Sequence, residues 1–456
     1  MKVVVLGCLP GCGELLEVNL EFIEIRLQVY GRQKSQSAKL CRQYGANITF
    51  WLLTKTKNPD NLSSLSAKKM DKHIRKPEGK SRKSKAALGM ILMLAVFSIG
   101  LAIYLFTDRH DKRRPQEPTK PYAYSSEEVT FRNEQANVKL AGTLTMPSKQ
   151  GNHPAVILIS GSGPQNRDEE MAGHKPFLII SDWLTRNGIA VLRYDDRGVG
   201  ESTGDFSSGT SLDFSTDVES AVAYLKTRTE IRKNQIGLVG HSDGAMIAPM
   251  VAARLNDIGY IVLLAGPGMP GGQLLINRQE LMERSMGLSE VEIQKSKKSS
   301  EEITRIIRNS KDIQTLKNDL INYSKEHISD VPEYAIPPGM NKEQFVAERI
   351  NILATPWFQY FLNYDPTSTL EKVTCPVLAL NGDKDVQVPS KENLDGIRNS
   401  LIKGGNKKVT IVEFSNLNHL FQECKTGLPD EYPKIEQTFS PIVLEEISRW
   451  ILKQCG

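Results

Sequence analysis

The stretch that most constrains this chain is Gln235 to Met250, QIGLVGHSDGAMIAPM. A short apolar strand runs into Gly240-His241-Ser242-Asp243-Gly244, and an apolar helix follows at once. This is a G-x-S-x-G sequence in the strand–turn–helix context that gives the pattern its meaning. So sharp a turn holds the serine in a strained backbone conformation, and glycines on either side leave room where a Cβ would clash. The serine hydroxyl then stands above the sheet edge with a helix N-terminus beneath it. A chance G-x-S-x-G in a loop is the competing reading; the strand before and the helix after argue against it.

A serine hydroxyl is a poor nucleophile at neutral pH, so it needs a base, and the base needs an orienting acid. On such an elbow the partners follow in the order Ser, Asp or Glu, His. The segment PVLALNGDKDVQVP offers Asp383 and Asp385 after a late strand. Asp385 is the expected acid, because the chain must first leave the sheet at Gly382; Asp383 is then a turn cap. KVTIVEFSNLNHLFQ carries His419 after the last strand, and no other histidine follows Asp385. Ser160-Gly161-Ser162-Gly163-Pro164 ends an earlier strand, and its glycines permit close backbone approach to a substrate. The N–H groups of Ser162 and Asp243 are the expected oxyanion donors. Asp196 and Arg197 in YDDRGVGEST, and Arg167 and Asp168 in GSGPQNRDEE, read as loop braces. His241 reads as a hydrogen-bonding residue between nearby loops.

Around the elbow, short apolar strands alternate with helices from Ser125 onward. AVILIS, IAVLRYD, YIVLLAG, PVLALNG and KVTIVEF are the strands, with helices over Pro176–Gly188 and Ser211–Arg228. EEVTF and VKLAGTLTMP read as an antiparallel pair. The pattern predicts an α/β fold with a mostly parallel sheet covered on both faces. Residues 273–372 break the alternation: charged and helical in pattern, they fall between two core strands and read as a helical cap. Its end, TPWFQYFLNYDP, brings Trp357 and Phe358 close to the acid-bearing strand. These aromatics read either as packing or as the wall of an acyl pocket.

The region before Ser125 has a different character. Residues 86–106, AALGMILMLAVFSIGLAIYLF, carry no charge and match the roughly 20 residues a membrane-spanning helix requires. Lys72, Arg75, Lys76, Lys80, Arg82, Lys83 and Lys85 precede them, so the C-terminal bulk is expected outside the cytoplasm as a single-pass protein. No small-x-small cleavage site follows, which favours an anchor over a signal peptide. Residues 107–124 form a charged, proline-bearing linker to a catalytic domain over 125–456. Residues 1–85 read as an unstructured tail, and MDKHIRKPEGKSRKSK from Met70 reads as an alternative beginning of the chain.

The formal net charge of +5 over 456 residues sits mainly before residue 120, which does not suggest a nucleic-acid partner. No His or Cys spacing matches a metal site, and serine chemistry of this kind needs no cofactor. Of the six cysteines, Cys424 and Cys455 are candidates for a disulfide if the domain is exported, with Cys375 a small core residue.

LISGSGPQNRDEE, YDDRGVGEST, GHSDGA, GDKDVQVP and NHLF, in this order, resemble the α/β-hydrolase superfamily. More closely they resemble bacterial EstD-type carboxylesterases, neighbours of the serine aminopeptidase-like hydrolases. The resemblance covers about Ser125 to Gly456. It implies hydrolysis of small carboxylic esters through an acyl-enzyme, with Ser242, Asp385 and His419 as the triad. A serine aminopeptidase and an acyl thioesterase share these features and stay open; a non-catalytic module on the same fold is disfavoured by the complete triad.

Overall fold

The computed structural model describes residues 2–9, 12–19, 24–29, 114–331, 336–337 and 339–456. Near the start, within the stretch expected to be an unstructured tail, β1 (Lys2–Leu9), β2 (Cys12–Asn19) and β3 (Glu24–Val29) instead pair as a three-stranded antiparallel sheet. The expected membrane span at 86–106 lies outside the described residues. Among the described residues no helix is long and apolar enough to cross a membrane.

The catalytic body is built on β4 (Ser125–Asn133), β5 (Val138–Met146), β6 (His153–Ile159), β7 (Ala190–Tyr194), β8 (Ile231–His241), β9 (Tyr260–Leu264), β10 (Val377–Gly382) and β11 (Val409–Phe414). They form one sheet in the order β4-β5-β7-β6-β8-β9-β10-β11. Only β4/β5 and β5/β7 are antiparallel; the rest run parallel. This is the α/β-hydrolase arrangement.

The strands read as continuous apolar runs because both faces are buried, and successive side chains serve opposite layers. In β6, Ala155, Ile157 and Ile159 join one core while Val156 and Leu158 join the other. β9 divides the same way, Ile261 and Leu263 against Tyr260, Val262 and Leu264. On the first face lie α2 (Ser211–Thr227), α3 (Asp243–Arg254) and α10 (Ser390–Lys403); on the second lie α1 (Pro176–Arg186) and α11 (Pro441–Cys455). Helix α2 starts on a capping box: the Thr210 hydroxyl accepts from the Asp213 N–H, and the Asp213 carboxylate accepts from the Thr210 N–H.

The chain leaves β6 toward one edge of the sheet and leaves β8 toward the other. The carboxyl ends of β6 and β8 therefore border the crevice where ligands bind in open α/β sheets. Between β9 and β10 the chain forms a cap: α4 (Gly271–Ser285), α5 (Glu290–Asn309), α6 (Ile313–His327), α7 (Lys342–Leu353), α8 (Pro356–Asn363) and the single turn α9 (Thr367–Leu370). Its apolar interior, including Ile303, Leu316, Phe345 and Phe358, is continuous with the first core.

From Arg114 on, the charged, proline-bearing linker is docked on the body that follows it. The Arg114 guanidinium donates to the carbonyls of Ala172, Gly173, Pro433 and Ile435. The Gln116 amide oxygen accepts from the N–H groups of Thr438 and Phe439. Cys424 and Cys455 are free thiols, as is Cys375. The two candidates for a pair do not meet: Cys424 sits in the loop after β11 while Cys455 ends α11, with its sulfur near Tyr260.

Candidate active site

Ser242 stands at the junction of β8 and α3 with φ 53° and ψ −112°, a region that L-residues rarely adopt. Two close approaches explain the flanking glycines. A Cβ on Gly240 would lie 2.1 Å from the Gly244 carbonyl oxygen, and a Cβ on Gly244 would lie 2.1 Å from that of Ile159. Gly244 thus lets the elbow press against the end of β6. Gly161, at the start of the next loop, would bring a Cβ within 3.4 Å of the Ser242 Cβ. The nucleophile candidate and the glycine-bearing loop are direct neighbours.

Asp385 is 1% exposed and lies in the loop after β10. Its Oδ1 accepts from the N–H groups of Gln387 (2.8 Å) and Val388 (2.9 Å). Its Oδ2 lies 2.7 Å from His419 Nδ1. Asp383 instead accepts from the Asn416 N–H at 2.6 Å and ties the β10 and β11 loops together. The His419 loop is shaped by buried Asn418, whose side-chain oxygen accepts from the N–H groups of Leu420 and Gln422. Burial pushes the His419 imidazole below the ordinary histidine value, against the opposing pull of Asp385. Its neutral form therefore dominates at neutral pH.

One cavity of about 70 Å³ is lined by Ser242 and His419 together with Ser162, Asp243, Trp357 and Phe361. Asp243 takes the first position of α3, where an N–H has no intrahelical acceptor and points outward. Its buried carboxylate accepts from the Ser211 hydroxyl (2.9 Å) and from Trp357 Nε1 (3.1 Å), a bond between elbow and cap. Burial raises it to about 6 despite those donors. Phe358 does not reach the cavity: it is 2% exposed and packs edge-on behind Trp357, while Phe361 stacks on Trp357 and lines the cavity instead. On α8 the three side chains fan around one helix, and only two of those directions face the crevice.

A second histidine–carboxylate pair sits beside the first. His241 Nδ1 lies 2.9 Å from Glu169 Oε1, and its Nε2 lies 3.0 Å from the His419 carbonyl oxygen. The two histidine rings are 4.9 Å apart between centroids. Both His241 nitrogens face acceptors, so both must donate, which is the imidazolium form. Burial would depress its pKa, but the Glu169 carboxylate and the His419 carbonyl outweigh burial and raise it. Glu169 Oε1 also accepts from the Gly161 N–H at 2.6 Å. That commits the Gly161 donor and leaves Ser162 as the next N–H of the loop. Sequence reasoning singled out neither Glu169 nor the cavity residues Arg278 and Gln387; an acidic pair directly after the glycine loop is the one signal that marked Glu169.

The braces behave as their chemistry suggests. Asp196 accepts from the Ser160 hydroxyl (2.8 Å) and the Gln165 N–H (2.9 Å), clamping both ends of the Ser160–Gln165 loop; burial raises its pKa to about 8. Arg167 donates to Asp195, Arg193 pairs with Asp168, and Arg197 Nε reaches Asp217 at 2.7 Å. Among the described residues no group of His, Cys, Asp and Glu could hold a metal ion.

Residues 177–329 match the family described as serine aminopeptidase, S33. Esterase EstD of Thermotoga maritima is 28% identical over 336 residues, spanning 73% of this chain and 69% of that protein. Among solved structures, an esterase of Pyrococcus furiosus aligns with a TM-score of 0.43 and 16% identity, over 73% of this chain and 92% of that one. Est1E from Butyrivibrio proteoclasticus, with ferulic acid bound, aligns at 0.41 and 18%, over 72% and 99%.

Proposed function

We propose that this chain, an α/β-hydrolase similar to EstD, is a carboxylic ester hydrolase that works through a Ser242 acyl-enzyme. The observation that carries the reading is the shared cavity of Ser242 and His419, with His419 Nδ1 held by Asp385 at 2.7 Å. That bond makes Nδ1 a donor and leaves Nε2 as the lone-pair nitrogen. Nε2 takes the Ser242 proton as the oxygen attacks the ester carbonyl. Asp385 orients the ring and stabilises the imidazolium that forms, without itself being protonated. The Ser162 and Asp243 N–H groups receive the oxyanion, each worth about 3–4 kcal/mol in comparable sites. His419 then returns the proton to the alcohol, and water repeats the sequence on the acyl-enzyme.

Peptidase and thioesterase readings share this machinery. An aminopeptidase needs an acid to grip the substrate α-amine. Here the cavity carboxylates Glu169 and Asp243 are both bonded to protein donors. Turnover of short-chain esters, aminoacyl anilides and acyl-CoA by the full chain decides the matter. We expect esters to lead by at least an order of magnitude, and a lead for the anilides would replace this reading. The segment 86–106 anchors the enzyme with its catalytic domain outside the cytoplasm. Protease digestion of intact cells should then release an active fragment, and loss of activity only after lysis would reverse the topology.

A further inference from the structure

The loop that carries His419 does not stand alone; it rests on residues 432–440. Leu420 packs in one apolar cluster with Tyr432 and Ala172. The Phe421 and Phe439 rings lie 5.4 Å apart between centroids. The Ser440 N–H donates to the Phe421 carbonyl at 2.9 Å, and the Gln422 side-chain amide donates to the Gln437 carbonyl at 3.1 Å. The place of His419 in the crevice therefore depends on what holds residues 432–440.

That support is held by two residues of the segment before Ser125. Arg114 Nη1 donates to the Ile435 carbonyl at 2.9 Å, and its Nη2 to the Pro433 carbonyl at 3.1 Å. The same guanidinium reaches the carbonyls of Gly173 (3.2 Å) and Ala172 (3.3 Å), next to Met171, which lines the cavity. Four carbonyls from two loops thus converge on one planar fork, a geometry that a lysine ammonium does not match. Gln116 brackets Phe439: its side-chain oxygen accepts from the Phe439 N–H at 3.1 Å, and its amide donates to the Phe439 carbonyl at 2.7 Å. Buried His174 joins the same two loops, donating from Nε2 to the Tyr432 carbonyl at 2.9 Å, with Nδ1 3.0 Å from the Thr438 hydroxyl. Burial, with the Arg114 charge adding to it, lowers His174 to about 4, so the ring is neutral and Nδ1 accepts.

Resting on the esterase reading above, we infer that Arg114 is a positioning residue for His419. It ties residues 432–435 to the loop of Ala172 and Gly173, and so fixes the surface on which the His419 loop lies. Arg114 touches neither substrate nor reacting atoms, and the catalytic unit begins at or before it rather than at Ser125. A misplaced base costs rate in the bound complex, since proton transfer depends on alignment to within about an ångström. The competing account is that the segment only adds stability. A loss of that kind changes how many molecules are folded and leaves each folded one as fast as before.

The test is steady-state hydrolysis of p-nitrophenyl acetate by the full chain, with rates expressed per active site titrated with a fluorophosphonate. R114A should lower kcat per titrated site about 10-fold while KM stays within about twofold of wild type. R114K, which keeps the charge without the fork, should fall between the two, and Q116A should lose about threefold. Because only titrated sites are counted, the comparison holds even where part of a variant fails to fold; if R114A yields none, R114K and Q116A carry it. An unchanged kcat per titrated site, whatever happens to the melting temperature, or a loss confined to KM, overturns the inference and leaves the esterase reading standing. Neither turnover nor labelling in wild type overturns the esterase reading itself, and the inference with it.

Discussion

Two histidines lie side by side in this crevice, each against a buried carboxylate, and they do opposite things. His419 has one acceptor, Asp385, and burial drives it toward the neutral form. His241 has acceptors on both nitrogens, Glu169 and the His419 carbonyl, and is driven toward the imidazolium. The same side-chain pair thus favours the neutral ring in one place and the cation in the other. The number of acceptors around the ring decides which. The arrangement is also coupled, since the charge on His241 contributes to depressing His419.

Substitutions at each member should separate the two pairs. S242A and H419A should each lower kcat by about 10⁴-fold or more, and D385N by about 10⁴-fold, because the ring loses its orientation and correct tautomer. E169Q should cost only about 10- to 100-fold, the scale of one or two charge-assisted hydrogen bonds. Steady-state kinetics on one neutral ester would compare them, and equal losses for D385N and E169Q would erase the proposed division of roles.

The pH profile sharpens the comparison further. On the proposed mechanism His419 acts as the neutral base, so kcat/KM should be present above its pKa and lost as pH falls through it. The acid limb should fall below the ordinary histidine value near 6.5. In E169Q, the carboxylate that offsets burial at His241 is gone and the ring shifts toward its neutral form, so the acid limb should move upward. A limb that stays in place would show the two rings to be independent.

A smaller effect concerns stability. Asp243 titrates near 6 when folded against 3.8 as its ordinary value. A raised carboxylate pKa means stability that is full below 3.8 and lost as pH rises through 6. D243N should therefore stabilise the fold by about 2–3 kcal/mol at pH 8 and by nothing at pH 4. Urea melts at the two pH values would check this. In the cap, F358A should lose about 3–5 kcal/mol with little change in ester-chain preference. W357A should change that preference as well, since Trp357 lines the cavity and Phe358 does not.

What could be read in the sequence follows from locality. Ser242 is set by contacts within a few residues, the Gly240 and Gly244 clearances among them. Asp385 and His419 each lie in the loop after a strand, so strand order, the turn at Gly382 and the lack of any later histidine made them the candidates. The sheet was legible because strands buried on both faces must be apolar throughout. Glu169, Arg278 and Phe361 were not legible as site residues, because each points into the crevice only through the packing of a loop or cap helix. Phe358 and Phe361 differ merely in which side of α8 they occupy, and α8 is fixed by contacts with the rest of the cap. The cysteines fail for the same reason: spacing says nothing about whether two sulfurs meet.

The central claim is that Ser242 is the nucleophile and His419 its base. Labelling of the full chain with a fluorophosphonate, followed by peptide mapping, tests it most directly. One phosphonyl group should appear on Ser242, with rapid labelling in wild type, none in S242A and a loss of rate of about 10³-fold or more in H419A. Modification of a different serine, or unchanged labelling in H419A, would contradict the account.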